Sequence, residues 1–522
     1  MPAVRSLGAV ALAIVATASE PARAYEFEVA AQSVAQGYQL RWIRFDEQDR
    51  LLNRRRFTQS LSLDVWNILE PSFDPVMSPI RPHAPPLAPF DVFVTLQLRI
   101  DHDFGEYTQG GVVYPIAPSN TIEEAAVSAV PELAGADLGL VVLAASAGAR
   151  DIFGRVDVAL GRQILVDNLD WMALDGLRLV ARLPAHLAVE GHAGFLVRDA
   201  SPLGSPTHEP DGSGSAQCTA FSLEDGVYLP AAECAGRLEP APTFGAALAT
   251  HGLRWLSARL SYRRSLSTTA GGLYPDAADE APSWGVLEEL VSGTLRGNPW
   301  GGAVVPWAAA RWNLLLGLID EAHAGIRLGA GAHALTPEAI YSFPSFEGDS
   351  IFNVFSSEPY LDLRLTYDLW PGRGRLRGYA RGFWRRFWNS DTETVLPGQS
   401  VSDHADAGGA TAGVRLRLGE RGAARLDLSY EDGHGGLRTG GDLAGRLRLG
   451  PRLSLDGRIS LVRFEYDTLP DLRATTFGAQ AGARLVLGPG MTLHVSAEQN
   501  SNRFENQFRL VAILDLSFRP EH

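Results

Sequence analysis

Apolar and polar residues alternate with a period of two along most of the chain, in segments bounded by Gly, Pro and Asp. In the segment 91–104, for example, Val94 and Leu96 fall on one face of an extended strand, whereas Gln97 and Arg99 fall on the other. Such a period predicts β-strands that have one apolar and one polar face. The chain is therefore predicted to be all-β.

Segments with this pattern occur from one end of the chain to the other. We predict strands near 27–43, 57–68, 91–104, 137–148, 153–163, 173–183, 185–198, 242–250, 253–265, 358–370, 374–388, 408–418, 422–432, 438–449, 452–466, 472–487, 490–501 and 505–518. Strands that alternate up and down place 266–283 and 334–357 in outward loops. The stretch 284–333 between them then holds an even number of strands, predicted at 303–316 and 319–333. The total is about twenty strands, within a range of roughly 18 to 22.

Alternation alone also fits a soluble β-sandwich, but three further features favour a membrane barrel. Tight turns, such as 450–451 and 488–490, alternate with much longer loops. Aromatic residues, among them Trp384 and Trp388, lie near predicted strand ends, where membrane barrels carry aromatic girdles. The last predicted strand is amphipathic and ends on Phe518, which resembles the signal that barrel-assembly machinery recognises.

We therefore predict a transmembrane antiparallel up-and-down β-barrel that spans 25–522 and contacts lipid and lipopolysaccharide of the outer membrane. A proline-rich connection is predicted at 70–89, and a long extracellular loop at 199–241. Residues 1–24 are predicted to form a signal peptide, with a positive Arg5, an apolar segment and a small-x-small site at 22–24. That apolar segment is too short to cross a bilayer as a helix.

The composition agrees with strands that face lipid on one side and water on the other. The mean hydropathy is −0.03, and the net charge of −14 argues against nucleic acid as a partner. All 46 basic residues are arginine, which a GC-rich genome explains as well as function does. In an exported chain the two cysteines, Cys218 and Cys234, are predicted to form a disulfide within the long loop.

A barrel of about this size is wide enough to enclose an aqueous lumen. Strand parity directs many arginines inward, and rings of arginine select anions in pores. The candidate lumen and anion-binding residues are Arg99, Arg178, Arg182, Arg364, Arg377, Arg381, Arg385, Arg446, Arg448 and Arg458. The alternative is that inward arginines only brace the wall by pairing with neighbouring acids. The run 375–386 is the densest in arginine and is the predicted constriction.

No residues suited to catalysis come together in the sequence. The twelve histidines are scattered, and no Gly-x-Ser-x-Gly segment occurs. The acids of Asp101-His102-Asp103 would point to the opposite face of a strand from the histidine. We therefore predict that the protein is not an enzyme and needs no metal or other cofactor.

Two short motifs, Gly161-Arg162-Gln163 and Asp175-Gly176, resemble segments of the alginate-export-like barrel family. The segment 345–353 is similar to one in barrels that secrete exopolysaccharide. This resemblance implies export of an anionic polysaccharide, with separate periplasmic export proteins as partners. Two alternatives remain open: a general anion-preferring diffusion porin, and a non-conducting structural or adhesion barrel.

Overall fold

The computed structural model of the chain contains one closed barrel of 22 antiparallel strands. It describes residues 26–42, 50–66, 68, 90–103, 138–167, 170–197, 221–222, 227–228, 241–267, 285–343, 359–371, 374–388, 405–466 and 473–519. The predicted signal peptide, both cysteines and the segment 345–353 lie outside these residues.

The strands follow the chain in order around the barrel. They are β1 Glu26–Trp42, β2 Arg50–Trp66, β3 Asp91–Asp103, β4 Leu138–Ile152, β5 Val156–Asp167, β6 Asp170–Leu183, β7 Leu187–Leu196, β8 Phe221–Ser222, β9 Val227–Tyr228, β10 Ala241–Thr250, β11 Leu256–Ser267, β12 Gly285–Gly297, β13 Val304–Asn313, β14 Leu318–Ala330, β15 His333–Ser342, β16 Tyr360–Leu369, β17 Leu376–Phe387, β18 Asp406–Arg417, β19 Gly422–Gly433, β20 Leu437–Arg448, β21 Leu453–Glu465, β22 Ala474–Gly488, β23 Met491–Ser501 and β24 Glu505–Phe518. The short pair β8 and β9 forms a separate hairpin, and β7 pairs directly with β10.

The barrel closes where the first strand meets the last. β1 pairs antiparallel with β24, in a register that sets Val29 opposite Phe518. Every barrel strand therefore has a partner on both sides, and none leaves an open edge of unpaired backbone groups. In a bilayer this closure gives hydrogen-bond partners to the backbone N–H and C=O groups, because lipid offers none.

The prediction of about twenty strands is confirmed, but the predicted layout of 284–357 is wrong in part. The structure has four strands in this region, where we predicted two, because β12 and β15 were missed. β15 lies within 333–342, whereas we predicted 334–357 to be an outward loop. The loop between β15 and β16 spans 343–359 instead.

Connections at the two ends of the barrel differ in length. One end carries turns of two to six residues, including 184–186, 370–375, 449–452 and 489–490, together with the longer connection 67–90. The other end carries the long connections 104–137, 197–240, 268–284, 343–359 and 388–405, together with shorter ones such as 314–317 and 434–436. Short periplasmic turns and long extracellular loops are typical of outer-membrane barrels, so we call the first end the periplasmic mouth.

Large apolar side chains cover the outer face of the wall. On β16, Leu363 and Leu365 are exposed, whereas Asp362 and Thr366, which alternate with them, are buried on the inner face. The same contrast recurs on β24, where Leu510 and Leu516 are exposed. An apolar belt of this extent on a closed barrel is the surface that contacts lipid.

The described chain buries few apolar side chains, because most of them face outward. A small cluster of Leu165, Met172 and Leu174, with Leu196 packed against it, lies on the inner face near the extracellular end. Within the described residues no helix is long and apolar enough to span a membrane.

The last strand gives a testable prediction about assembly. Phe518 ends β24 on the outer face, and its ring centroid lies 5.9 Å from that of Phe27 on the neighbouring β1. We expect Phe518→Ala to reduce the heat-modifiable folded fraction in outer-membrane preparations several-fold, because the closing pair loses its lipid-facing contact. Deletion of 520–522 is the control and should leave the folded fraction unchanged. Equal folding of Phe518→Ala and the wild type would contradict this role.

Candidate functional site

All ten arginines predicted to line the lumen lie on the inner face of the wall. On β17, Arg377, Arg381 and Arg385 alternate with Trp384, which is exposed on the outer face. On β20 and β21, the inward positions alternate with exposed residues such as Leu443, Leu447 and Ile459. The remaining members occupy inward positions on β3, β6 and β16, namely Arg99, Arg178, Arg182 and Arg364.

The lumen side of β16 and β17 contains a charge network centred on Asp362. Its carboxylate is fully buried and accepts hydrogen bonds from Arg364 at 3.0 and 2.8 Å and from Arg385 at 3.1 and 2.8 Å. Arg385 also lies 3.5 Å from Glu431 on β19. These two arginines brace the wall, and their charges are offset by the acids.

Other inward arginines on the first half of the chain are paired in the same way. Arg178 and Arg259 lie 2.8 and 3.1 Å from the carboxylate of Glu190. Arg182 lies 2.6 Å from Asp151 and also contacts Asp157. In this part of the wall these inward arginines therefore pair with neighbouring acids and brace the strands, as the alternative interpretation predicted.

From β17 to β22 the balance changes, because several inward arginines have no acidic partner in the part of the chain that the structure describes. Arg381 donates a hydrogen bond to the hydroxyl of Thr366 at 3.0 Å. Arg377 and Arg415 are directly opposite each other on β17 and β18, and neither makes an ion pair with a described residue. Their guanidinium groups face the lumen, and no acid of the described residues offsets their charges.

One inward contact between a histidine and a glutamate could not be predicted from the sequence. His323 on β14 contacts Glu338 on β15, and Nε1 of Trp307 on β13 lies 3.4 Å from Nε2 of the same histidine. No sequence pattern indicates this contact, because Glu338 lies in the segment predicted to be a loop. Among the described residues, no group of three or more His, Cys, Asp or Glu side chains could hold a metal ion.

The two motifs that carried the resemblance to polysaccharide exporters form a contact within the wall. Arg162 on β5 and Asp175 on β6 lie opposite each other on the outer face, and their side chains form a paired ion contact at 2.8 and 2.6 Å. Arg162 also donates to the carbonyl of Val142 at 3.0 Å, beside the β-bulge of β4. On the inner face, Gly161 and Gly176 are opposite each other.

The glycines of these motifs are required by close approach of the strands. A Cβ atom on Gly161 would lie 2.2 Å from the carbonyl oxygen of Ala145, and one on Gly176 would lie 2.2 Å from that of Ala193. Gly161 also has a φ of 117°, a backbone conformation that residues other than glycine rarely adopt. The contacts of the motifs thus hold the four neighbouring strands β4 to β7 together.

No protein-family model matches the chain, and no curated protein matches it. Solved structures of similar overall shape include OccK7 (OpdD) of Pseudomonas aeruginosa, with 10% identity, a TM-score of 0.41, and coverage of 95% of this chain and 99% of that chain. OccAB4 of Acinetobacter baumannii has 9% identity and a TM-score of 0.38, covering 96% and 100%. The FrpB iron transporter of Neisseria meningitidis has 7% identity and a TM-score of 0.44, covering 94% and 81%. At these low scores we infer nothing about the solute of this chain from them.

The fold and the lumen together define the class of protein. A closed barrel with an even number of strands, short turns at one end, an exposed apolar belt and a polar interior is an outer-membrane β-barrel of a Gram-negative cell. None of the comparisons supports the resemblance to the alginate-export-like family, and that family assignment stays unconfirmed.

Proposed function

We propose that the protein is an anion-preferring diffusion channel of the outer membrane. The proposal rests on three inward arginines of β17 and β18 that pair with no described acid, Arg377, Arg381 and Arg415. Guanidinium groups bind carboxylate and phosphate through paired hydrogen bonds, and fixed cations along a pore favour the passage of anions.

Polysaccharide export, our first expectation from the sequence, has weaker support. It rested on the motifs at 161–163 and 175–176, and the contacts of Arg162 and Asp175 lie on the lipid side of the wall. Such contacts explain the motifs by the packing of strands and give no information about a solute. Diffusion of small anions needs only the charged wall itself.

The triple substitution R377S/R381S/R415S tests the proposal. It removes three lumen charges that no described acid offsets and leaves the lipid-facing row intact. We expect the ratio of chloride to potassium permeability in planar bilayers to fall by about twofold or more, because these charges act within a Debye length of a passing ion.

The matched control is the double substitution R458S/D442N. Arg458 and Asp442 form a lumen ion pair at 2.7 Å, so removing both leaves the net charge of the wall unchanged. The control should keep the permeability ratio of the wild type. If the triple variant also keeps it, the unpaired arginines do not set ion preference and the proposal is wrong.

A further inference from the structure

A repeated segment ends three strands at the periplasmic mouth. Arg-Leu-Arg-Leu-Gly occurs at 415–419 and again at 446–450, and Arg-Leu-Val-Leu-Gly occurs at 484–488. β18, β20 and β22 run in the same direction, so each repeat arrives at this mouth just before a tight turn. The period of two directs the arginines inward and the leucines toward lipid.

The register of these strands arranges the arginines in two rows around the mouth. Arg417 lies opposite Ala423, which in turn lies opposite Arg446. In the next row toward the turns, Arg448 lies opposite Ser454, which lies opposite Arg484. Since neighbouring strands are about 4.8 Å apart, two arginines of a row are separated by about 10 Å, with a small side chain between them.

These rows line a cavity of about 430 Å³ between the turns that follow β18 and β20. Its wall contains six arginines and one acidic residue, Glu420. The arginines are Arg417, Arg421, Arg446, Arg448, Arg452 and Arg484. The cavity is therefore rich in positive charge, whereas the whole chain has a net charge of −14.

Contacts within the described chain leave most of these guanidinium groups available. Arg448 donates to the carbonyls of Gly450 and Pro451 at 3.1 and 3.4 Å. The other five have no ion pair or side-chain hydrogen bond among the described residues. A further acid, Asp456, lies opposite Arg446 in the register, and its carboxylate is 3.5 Å from His494.

We propose that this cavity is a binding site for a soluble multivalent oxyanion, a solute with two or more phosphate or carboxylate groups. Uncompensated cations in one cavity repel each other, and an oxyanion between two guanidinium groups relieves that repulsion while accepting paired hydrogen bonds. Ala423 and Ser454 leave room for such a group between the arginines of each row.

The direction of the rows favours a compact ligand over a polymer in transit. Each row runs across neighbouring strands, around the circumference of the mouth, and not along the axis of the pore. A sugar chain that passes through the barrel would meet charges in sequence along that axis. A small multivalent anion contacts several strands at one height, as this cavity requires.

The test is isothermal titration calorimetry on the full-length barrel in zwitterionic detergent, with pyrophosphate as the probe. We expect saturable binding with a stoichiometry of one, at least about tenfold tighter than that of orthophosphate, because two phosphate groups engage two arginine pairs. R446Q/R484Q should weaken pyrophosphate binding about tenfold or more. Citrate, as a second probe, distinguishes a preference for carboxylate from one for phosphate.

The matched control R438Q/R458Q removes two inward arginines outside the cavity, opposite Glu431 and paired with Asp442, and should bind pyrophosphate within about twofold of the wild type. Absence of saturable binding, or equal weakening in both double variants, would overturn the site. Displacement of pyrophosphate by an anionic phospholipid added to the micelles would also overturn it, by assigning the cavity to a lipid headgroup. The binding assay does not depend on conduction, so the site and the proposed channel can fail separately.

Discussion

Replacement of Arg162 by alanine is expected to destabilise the folded barrel by about 3 kcal/mol. The substitution leaves the carboxylate of Asp175 on the lipid-facing side without its paired cation, and it removes the donor to the carbonyl of Val142. An uncompensated charge or carbonyl is costly there, since lipid offers no hydrogen bonds. Urea titration of the barrel in lipid vesicles, followed by tryptophan fluorescence, measures the change.

Two variants make this prediction specific. R458A breaks the lumen pair with Asp442, whose side chains are 55% and 31% exposed, and should cost less than about 1 kcal/mol. R162L/D175L removes both charges from the outer face and should recover most of the stability that Arg162→Ala loses. If R162A lowers the free energy of unfolding no more than R458A does, the ion pair between Arg162 and Asp175 does not stabilise the barrel as proposed.

Replacement of Asp362 by alanine is expected to have the second large effect, on both stability and selectivity. Asp362 is fully buried between Arg364 and Arg385, so its loss leaves two guanidinium groups without their shared acid. We expect a loss of about 3 kcal/mol in the free energy of unfolding. Loss of this negative charge from the lumen wall should also raise the ratio of chloride to potassium permeability.

The matched control for this substitution is D442A, which removes the acid from the half-exposed pair with Arg458. It should change the free energy of unfolding by less than about 1 kcal/mol. D362N keeps the size of the side chain and loses only its charge. A D362N barrel as stable as the wild type would show that the carboxylate charge is not needed to hold Arg364 and Arg385.

Strand identity and facing could be predicted from the sequence because the period of two is strong on most of the wall. A strand with leucines at alternate positions, such as β20, has only one orientation that places them in lipid. That parity directs Arg446 and Arg448 inward, as the structure has them. The exact number of strands could not be predicted, because segments with weak alternation also form strands of the barrel.

The two missed strands have physical reasons for their weak pattern. In β12 the adjacent Glu288 and Glu289 break the alternation, and a register shift between Ser265 and Leu266 of β11 accommodates them. In β15, Pro337 lacks a backbone N–H, and the ladder with β14 is interrupted between Leu335 and Glu338. In a sequence taken alone, adjacent glutamates and a proline both favour a turn or a helix over a strand.

Sequence reasoning also could not separate arginines that brace the wall from arginines that face the lumen uncompensated. Arg377 and Arg385 share one face of β17, yet Asp362 lies opposite Arg385, whereas Arg415 lies opposite Arg377. These neighbours come from the register between strands, and long loops leave that register undetermined in the sequence. The difference decides which residues contribute to ion preference.

The reversal potential of the wild-type barrel in a planar bilayer tests anion preference most directly. Under a KCl gradient, a pore lined by uncompensated arginines passes chloride more readily than potassium, so the predicted potential has the sign of an anion-selective channel. Reversal of the gradient should invert the sign of this potential and leave the ratio of chloride to potassium permeability unchanged. A cation-selective potential, or a folded barrel that carries no current, would contradict the proposed function.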